Sequence, residues 1–361
     1  MNEKTKSNRV VYLDLLRILA IGAVVILHVA SLNWAKVDVN GHDWRVFNFY
    51  DSIVRWGVPV FVMISGTLFL NKENMTAKKI YSKYILRLLT AYITWSFIYY
   101  IFSGASFIQQ IDSLMRTNLL DSIADIINGH YHLWFIPMMI GIYMCLPIIK
   151  QIVRDEKIAR YFLLLSLVFW CLVPQTVELI NDFAGEKMIV VIGALYEQIS
   201  EMRLSLVMNF ALYFILGYEI SKVEFSKEMR TVIYILGVAG GIFTIVIDWL
   251  VTIKKQTPIQ TYYNTSCVNV LFEALAVFEL CKSIPFKKDK IYKIITKLSK
   301  WSFGAYLVHA LVIECFVKSG FDMLSFLPIV TVPIMSILVL ICSFVISAIL
   351  NSVPILNKYI V

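Results

Sequence analysis

Apolar positions in this chain fall into ten long segments, at 10–32, 46–70, 82–102, 133–150, 161–178, 205–221, 230–252, 265–281, 301–318 and 326–351. A helix rises about 1.5 Å per residue, so about 20 such residues cross a hydrocarbon core about 30 Å thick. The pattern predicts an all-α, polytopic membrane helix bundle with about ten transmembrane helices, built as a single domain over residues 1–361. The longest hydrophilic stretch, 103–132, has mixed polarity and room only for short interfacial helices. No repeat of fixed period and no low-complexity segment is present, so any chemistry must sit within the membrane domain. The first segment is too long for a signal peptide, contains Asp14 and Arg17, and has no small-residue cleavage site after it. It is expected to be retained as a helix.

The charge pattern orients the segments. The N-terminus carries Lys4, Lys6 and Arg9. Every second loop is basic: Lys72, Lys78, Lys79, Lys83 and Arg87; Lys150, Arg154, Lys157 and Arg160; Lys222, Lys227 and Arg230; and seven lysines from Lys282 to Lys300. The third and fifth loops lean acidic (Asp112, Asp121, Asp125; Glu178, Asp182, Glu186, Glu197, Glu201). Basic loops stay on the cytoplasmic side, so both termini are expected there. The net charge of +8 then reads as a topology signal and an attraction to anionic lipid, not as a nucleic-acid footprint. The expected location is the plasma (inner) membrane, with lysine-rich inner loops favouring a prokaryote. The composition agrees: 59% of residues are hydrophobic, above the roughly half of a soluble domain. Six cysteines are scattered through apolar runs with no CxxC pair, which suggests neither a zinc site nor a disulfide framework.

Ionisable residues inside a span are costly, and by default they are functional candidates. In the first segment Asp14 and Arg17 are one turn apart and can pair. His28 lies eleven residues beyond Arg17. Eleven steps of a helix return to within about 20° of the starting direction and climb about 16 Å. Arg17 and His28 thus share one stripe. The five histidines (His28, His42, His130, His132, His309) all fall in outer loops or in the outer and middle parts of segments. An imidazole near neutrality is the natural base for a hydroxyl proton. The His130-x-His132 spacing alone would also suit zinc, but no third ligand lies near it in sequence, so no metal is expected. Glu273 is the deepest acidic candidate, with Asn209, Asp248, Asn269, Glu279 and Glu314 as further polar residues in the segments. Trp134, beside His132, is placed to stack on a sugar ring. Arg55 and Pro59 predict a kinked outer end to the second segment that lines a cavity.

These residues resemble a known family. Tyr12-Leu-Asp-Leu-Leu-Arg17 followed by His28 is similar to the opening helix of the acyltransferase 3 family of membrane acyltransferases. The likeness continues at Val58-Pro-Val-Phe-Val-Met-Ile-Ser65-Gly66, in the basic stretch Lys79, Lys83 and Arg87, at His132-Leu-Trp134-Phe135 with Pro147, and at Ser302-Phe-Gly304-Ala-Tyr306-Leu-Val-His309. Where the family commonly has two arginines three apart, this chain has Lys83 and Arg87, and Thr90-Ala91-Tyr92 replaces the proline that often follows. The resemblance implies transfer of an acyl group, usually acetyl, from acyl-CoA to a hydroxyl of an envelope carbohydrate. It implies that Arg17 and His28 are functional, with His28 the catalytic residue.

On this reading Lys79, Lys83 and Arg87 meet the CoA phosphates, and Arg17 acts deeper on the same path. His28 deprotonates the acceptor, and His132, Trp134, His309 and Glu273 make up the acceptor side. Acetyl-CoA is a co-substrate, and no resident cofactor is expected. The expected partners are acyl-CoA, the carbohydrate acceptor and membrane lipid, with a homodimer as one form of assembly and no nucleic acid. Transport of a small polar solute or a glycan intermediate is the rival class. A purely structural membrane partner is the third, and it predicts that Arg17 and His28 tolerate substitution.

Overall fold

The computed structural model describes residues 10–103, 119–286 and 290–361. Lys4, Lys6, Arg9, Asp112, Lys287 and Lys288 of the charge pattern lie outside the described residues. Regular structure among the described residues is helical throughout. Nine helices or helix pairs among them are long and apolar enough to cross a membrane. Nine of the ten predicted segments therefore correspond to these long helices, and the sixth is shorter.

The exception is the sixth segment. Only Ala211–Lys222 (α10) is helical there, and twelve residues cover about 18 Å. Asn209 accounts for the late start. Its Oδ1 accepts from the Ala211 N–H at 2.7 Å and its Nδ2 donates to the Ser205 carbonyl at 3.0 Å. A side chain that satisfies local backbone groups in this way competes with the helix and opens it only afterwards. α10 is nonetheless a core helix, buried against α3 (Gly57–Leu70). The two backbones touch. A Cβ added at Gly66 would lie 1.7 Å from the Phe214 carbonyl oxygen, and one at Gly217 would lie 2.3 Å from that of Met63. Thr67 Oγ1 adds a hydrogen bond to the Gly217 carbonyl at 2.9 Å. Small residues that let backbones approach are a standard means of holding helices together in lipid, where apolar surface gains little from leaving the solvent.

The second segment divides into α2 (His42–Ser52) and α3, with an irregular turn between them and Pro59 in the first turn of α3. Arg55 occupies that turn. It pairs with Asp51, and its guanidinium lies 3.9 Å over the Tyr263 ring. The third segment is α4 (Leu86–Ser103), entered through a π-helical turn at Ile80–Ile85. A short helix, α5 (Leu119–Asn128), follows in the region expected to hold interfacial elements. α6 (Phe135–Ile152) carries Pro147. The fifth segment is α7 (Glu156–Ser166), a π-helical turn and α8 (Val173–Phe183). α9 (Glu186–Glu201) is an additional helix with no buried residue. The remaining elements are α11 (Lys227–Lys255), α12 (Val268–Ser283), α13 (Lys290–Lys318), α14 (Pro328–Ser352) and α15 (Pro354–Tyr359).

α1 (Val11–Trp34) is the axis of the bundle. Its first half (Leu13, Leu16, Ala20) packs into a core shared with α3, α6, α10 and α12. Its second half (Ile21, Val25, Val29, Ala30) packs into one shared with α2, α13 and α14. α14 shows the arrangement a lipid surround demands. Ile337, Ile341, Val345 and Ile349 form an exposed stripe at four-residue spacing, while Ser336, Ser343 and Ser347 are buried. Asp14 of α1 is buried and is held by protein side chains, Arg17 one turn on and Ser299 of α13.

Candidate active site

The site grows from two parallel helices. Ser299 Oγ on α13 donates to Asp14 on α1 at 2.6 Å, and ten residues further along α13 the His309 ring stacks on His28 at 5.2 Å. Residues 302, 306 and 309 recur at helical spacing, so Ser302, Tyr306 and His309 share one buried face of α13. A single 3-10 turn, Tyr131–Trp134, lies at the start of α6 and brings in the outer-loop histidines. The His132 ring stands edge-on to His309 at 4.9 Å and lies 6.5 Å from His28. Tyr131 packs on His28 at 5.1 Å. The Tyr306 hydroxyl donates to the His132 carbonyl at 2.6 Å, tying α13 to the turn.

Four of the five histidines are thereby gathered at one end of α1. His132 and His309 are fully buried and His28 is partly buried. His309 Nδ1 lies 2.5 Å from the Tyr306 carbonyl. His130 Nδ1 lies 2.8 Å from His132 Nδ1, and His130 Nε2 lies 2.9 Å from Glu314 Oε1. Tyr99 of α4 stacks on His130 at 4.2 Å. Among the described residues, the Nε2 atoms of His132 and His309 have no hydrogen-bond partner. Both ring nitrogens lie in one cluster and can take a proton or a hydrogen bond. His42 is exposed beside Asp43 and takes no part. No group of three or more His, Cys, Asp or Glu among the described residues is arranged to hold a metal ion.

At the other half of α1 a cavity of about 500 Å³ opens between α1, α3, α4, α6 and α13. Its lining includes four cations, Arg17, Lys72, Arg87 and Lys300. It also reaches Phe135 and Tyr306, whose rings are 5.7 Å apart. Tyr306 is in turn 5.6 Å from the His132 ring and 5.9 Å from the His309 ring. One aromatic wall thus separates the basic cavity from the histidines.

The structure sorts the sequence candidates. Arg17 lines the cavity with its NH1 3.6 Å from Asp14 Oδ1. Arg87 lines it too, donates to the Val361 carbonyl, and lies 5.8 Å over Phe303. Lys79 and Lys83 are exposed outside it. Lys79 Nζ is 3.5 Å from the Asn74 carbonyl, and Lys83 lies 5.7 Å over Tyr84. Lys72 and Lys300 take the places expected of them; both stood in the basic loops, but nothing in the spacing singled them out. Trp134 is exposed and packs on Phe210 at 5.7 Å, apart from the histidine rings. Glu273 belongs to another network on α11 and α12, where Thr244 Oγ1 donates to it at 3.3 Å and Asn269 bonds Thr244 at 2.7 Å. Tyr99 was missed as a site candidate, while Glu314 stood only among the further polar residues of the segments and Tyr306 only within the resemblance. Only the histidine-rich 130–132 stretch hinted that a partner was needed.

A family model described as an acyltransferase domain matches residues 10–348, which hold the whole histidine cluster and the four cavity cations. The chain belongs to the acyltransferase 3 family. Neither the curated proteins nor the solved structures gave a match. Membership makes this a multi-pass membrane acyltransferase in general terms. For an acyltransferase the arrangement is chemically usable: a cationic cavity on one side of a short aromatic wall, and imidazole bases on the other.

Proposed function

We propose that this membrane acyltransferase moves an acyl group, acetyl by preference, from cytoplasmic acyl-CoA to a hydroxyl of an extracytoplasmic or lipid-linked envelope carbohydrate. Its location on this reading is the plasma membrane of a prokaryote. The observation that carries the proposal is the cavity that begins among Arg17, Lys72, Arg87 and Lys300 and ends at the wall it shares with the histidines. CoA carries phosphates, which guanidinium and ammonium groups bind by charge-assisted hydrogen bonds. The rise of about 16 Å from Arg17 to His28 along α1 suits a pantetheine arm reaching from one to the other.

In the reaction His28 takes the proton of the acceptor hydroxyl. The oxygen attacks the thioester carbonyl, the C–O bond forms, the C–S bond breaks, and the departing thiolate recovers the proton. His132 and His309 bound the acceptor side of the wall. Phe135 and Tyr306 determine how large an acyl group passes.

The test is thiol release from acetyl-CoA by the purified full chain in the presence of envelope glycan extract, beside His28→Ala and Arg17→Ala. The expected result is release by the wild type and a loss of at least about 100-fold in His28→Ala, the usual scale for a general base. A His28→Ala protein that keeps the wild-type rate overturns the assignment of His28. Transport, the rival, predicts substrate movement without CoA and no thiol release from the wild type under any acceptor condition.

A further inference from the structure

We propose that Glu314, His130 and His132 form a proton relay behind His28, in which Glu314 acts through His130 to keep His132 Nε2 bare beside the catalytic imidazole. The inference deepens the acyl-transfer reading and rests on it.

The relay follows from which atoms can donate. A carboxylate only accepts, so the 2.9 Å contact between Glu314 Oε1 and His130 Nε2 makes that nitrogen the N–H. A neutral imidazole carries one N–H, which leaves His130 Nδ1 as an acceptor. With His130 neutral, His132 Nδ1, 2.8 Å away, is the donor. His132 has no second proton, so its Nε2 is a bare lone pair. That is the atom found buried without a partner among the described residues. His309 has the same tautomer for a local reason: its Nδ1–H donates to the Tyr306 carbonyl three residues back. The two differ in what lies behind them. A helix carbonyl cannot take a proton, so His309 is a dead end. Behind His132 stand a second imidazole and a carboxylate.

Such a chain can hold charge. When a proton reaches His132 Nε2, the Nδ1 proton can cross the 2.8 Å nitrogen–nitrogen contact to His130 Nδ1, and the resulting imidazolium rests against the Glu314 carboxylate. Without that outlet a cation would be stranded on a fully buried ring at high cost. His28 is the source of the proton. Its ring is 6.5 Å from that of His132, and catalytic hydrogen bonds of this kind tighten when substrate binds. The chain stores the hydroxyl proton while the C–O bond forms and the C–S bond breaks. It returns the proton through His28 to the thiolate, so no proton is consumed. The titratable and charged groups around the relay are His28, His309, Tyr99, Tyr131, Tyr306 and Lys318, whose Nζ is 3.9 Å from Glu314 Oε2. Glu314 and His130 are positioning residues; neither is placed to touch the acceptor.

The experiment has two readouts on the full chain in detergent. The first is thiol release from acetyl-CoA with envelope glycan extract, for wild type, Glu314→Ala, Glu314→Gln and Glu314→Asp. Removing the partner that orients a metal-bound histidine commonly costs about 10–100-fold, and the relay histidines are oriented in the same way. That loss is expected in kcat for the Ala and Gln variants, with the KM for acetyl-CoA and the thermal midpoint unchanged and partial recovery in Asp. Gln keeps an acceptor oxygen but no charge, so wild-type kcat in Gln overturns the charge-holding role, and wild-type kcat in both overturns the relay. The second readout is nitrogen-15 NMR of histidine-labelled protein at alkaline pH. The expectation is an Nδ1–H tautomer for His132 and for His309 in the wild type, with only the His132 signal moving in Glu314→Ala. A wild-type His132 bearing its proton on Nε2 overturns the relay. Wild-type protein that releases no thiol overturns acyl transfer, while the NMR result still decides whether Glu314 sets the His132 tautomer.

Discussion

Single side chains separate the roles of the two halves of α1. Four cations line the cavity, and the geometry distinguishes them from their neighbours in the same loops. Replacing Lys72 or Lys300 with Ala is expected to raise the KM for acyl-CoA several-fold with little change in kcat, and the penalty should grow as salt is lowered, because phosphate contacts are electrostatic. Lys79→Ala and Lys83→Ala should leave both constants within about two-fold, the behaviour of solvated surface charges. Donor titrations at two ionic strengths check this, and a Lys79 effect equal to that of Lys72 would contradict the assigned cavity. Arg17 and His28 were legible as a pair because a helix repeats its direction after eleven residues, which needs no knowledge of the fold. Lys72 and Lys300 were not legible. Seven lysines crowd the loop from 282 to 300, and only the packing of α13 against α1 selects one of them.

At the scale of elements, the crossing of α3 and α10 shows how a helix of twelve residues is held in the core. Gly66 and Gly217 allow the backbones to meet, and a side chain on either has nowhere to go. Gly66→Val is expected to cost more than about 3 kcal/mol, beyond ordinary overpacking, because the obstacle is backbone rather than a mobile side chain. Gly22→Ala is the control. Nothing lies within 4 Å of a Cβ there, and Ala is favoured over Gly in a helix interior by roughly 0.5–1 kcal/mol. Thermal melts in one detergent should show a large drop for the first and an equal or higher midpoint for the second. The Ser65-Gly66 pair was visible in the sequence as part of the resemblance, but its partner Gly217 was not. The shortness of α10 was also hidden, since an apolar run reads the same whether lipid or protein covers it, and Asn209 opens the helix through a local bond that hydropathy does not register.

In the whole molecule, Val361 meets Arg87, which lines the same cavity as Arg17 near the start of α1. The described chain ends therefore lie at one end of the bundle, and the histidines lie at the other. The basic loops gather at the first end, where Lys150 bonds the Lys72 carbonyl and Lys282 bonds that of Val223. The orientation expected from lysine and arginine makes that end cytoplasmic. Cysteine labelling in intact cells tests it: Lys157→Cys should be shielded from an impermeant reagent and His42→Cys should react. The reverse pattern would put the cationic cavity on the wrong side for cytoplasmic acyl-CoA.

The sequence by itself determined the membrane class, the long apolar spans, their expected orientation and the Arg17–His28 stripe. Each of these is set by local periodicity or by the cost of placing charge in lipid, and both can be read within one segment. Only the tertiary structure decided that His130 and His132 from one turn and His309 and Glu314 from a helix far along the chain, with His130 and Glu314 184 residues apart, share one cluster. It alone placed Glu273 in a different network and set one aromatic wall between cavity and imidazoles. Contacts between distant segments depend on which helices pack and at what register, and the apolar pattern of a membrane helix, uniform toward lipid and protein alike, carries little of that information.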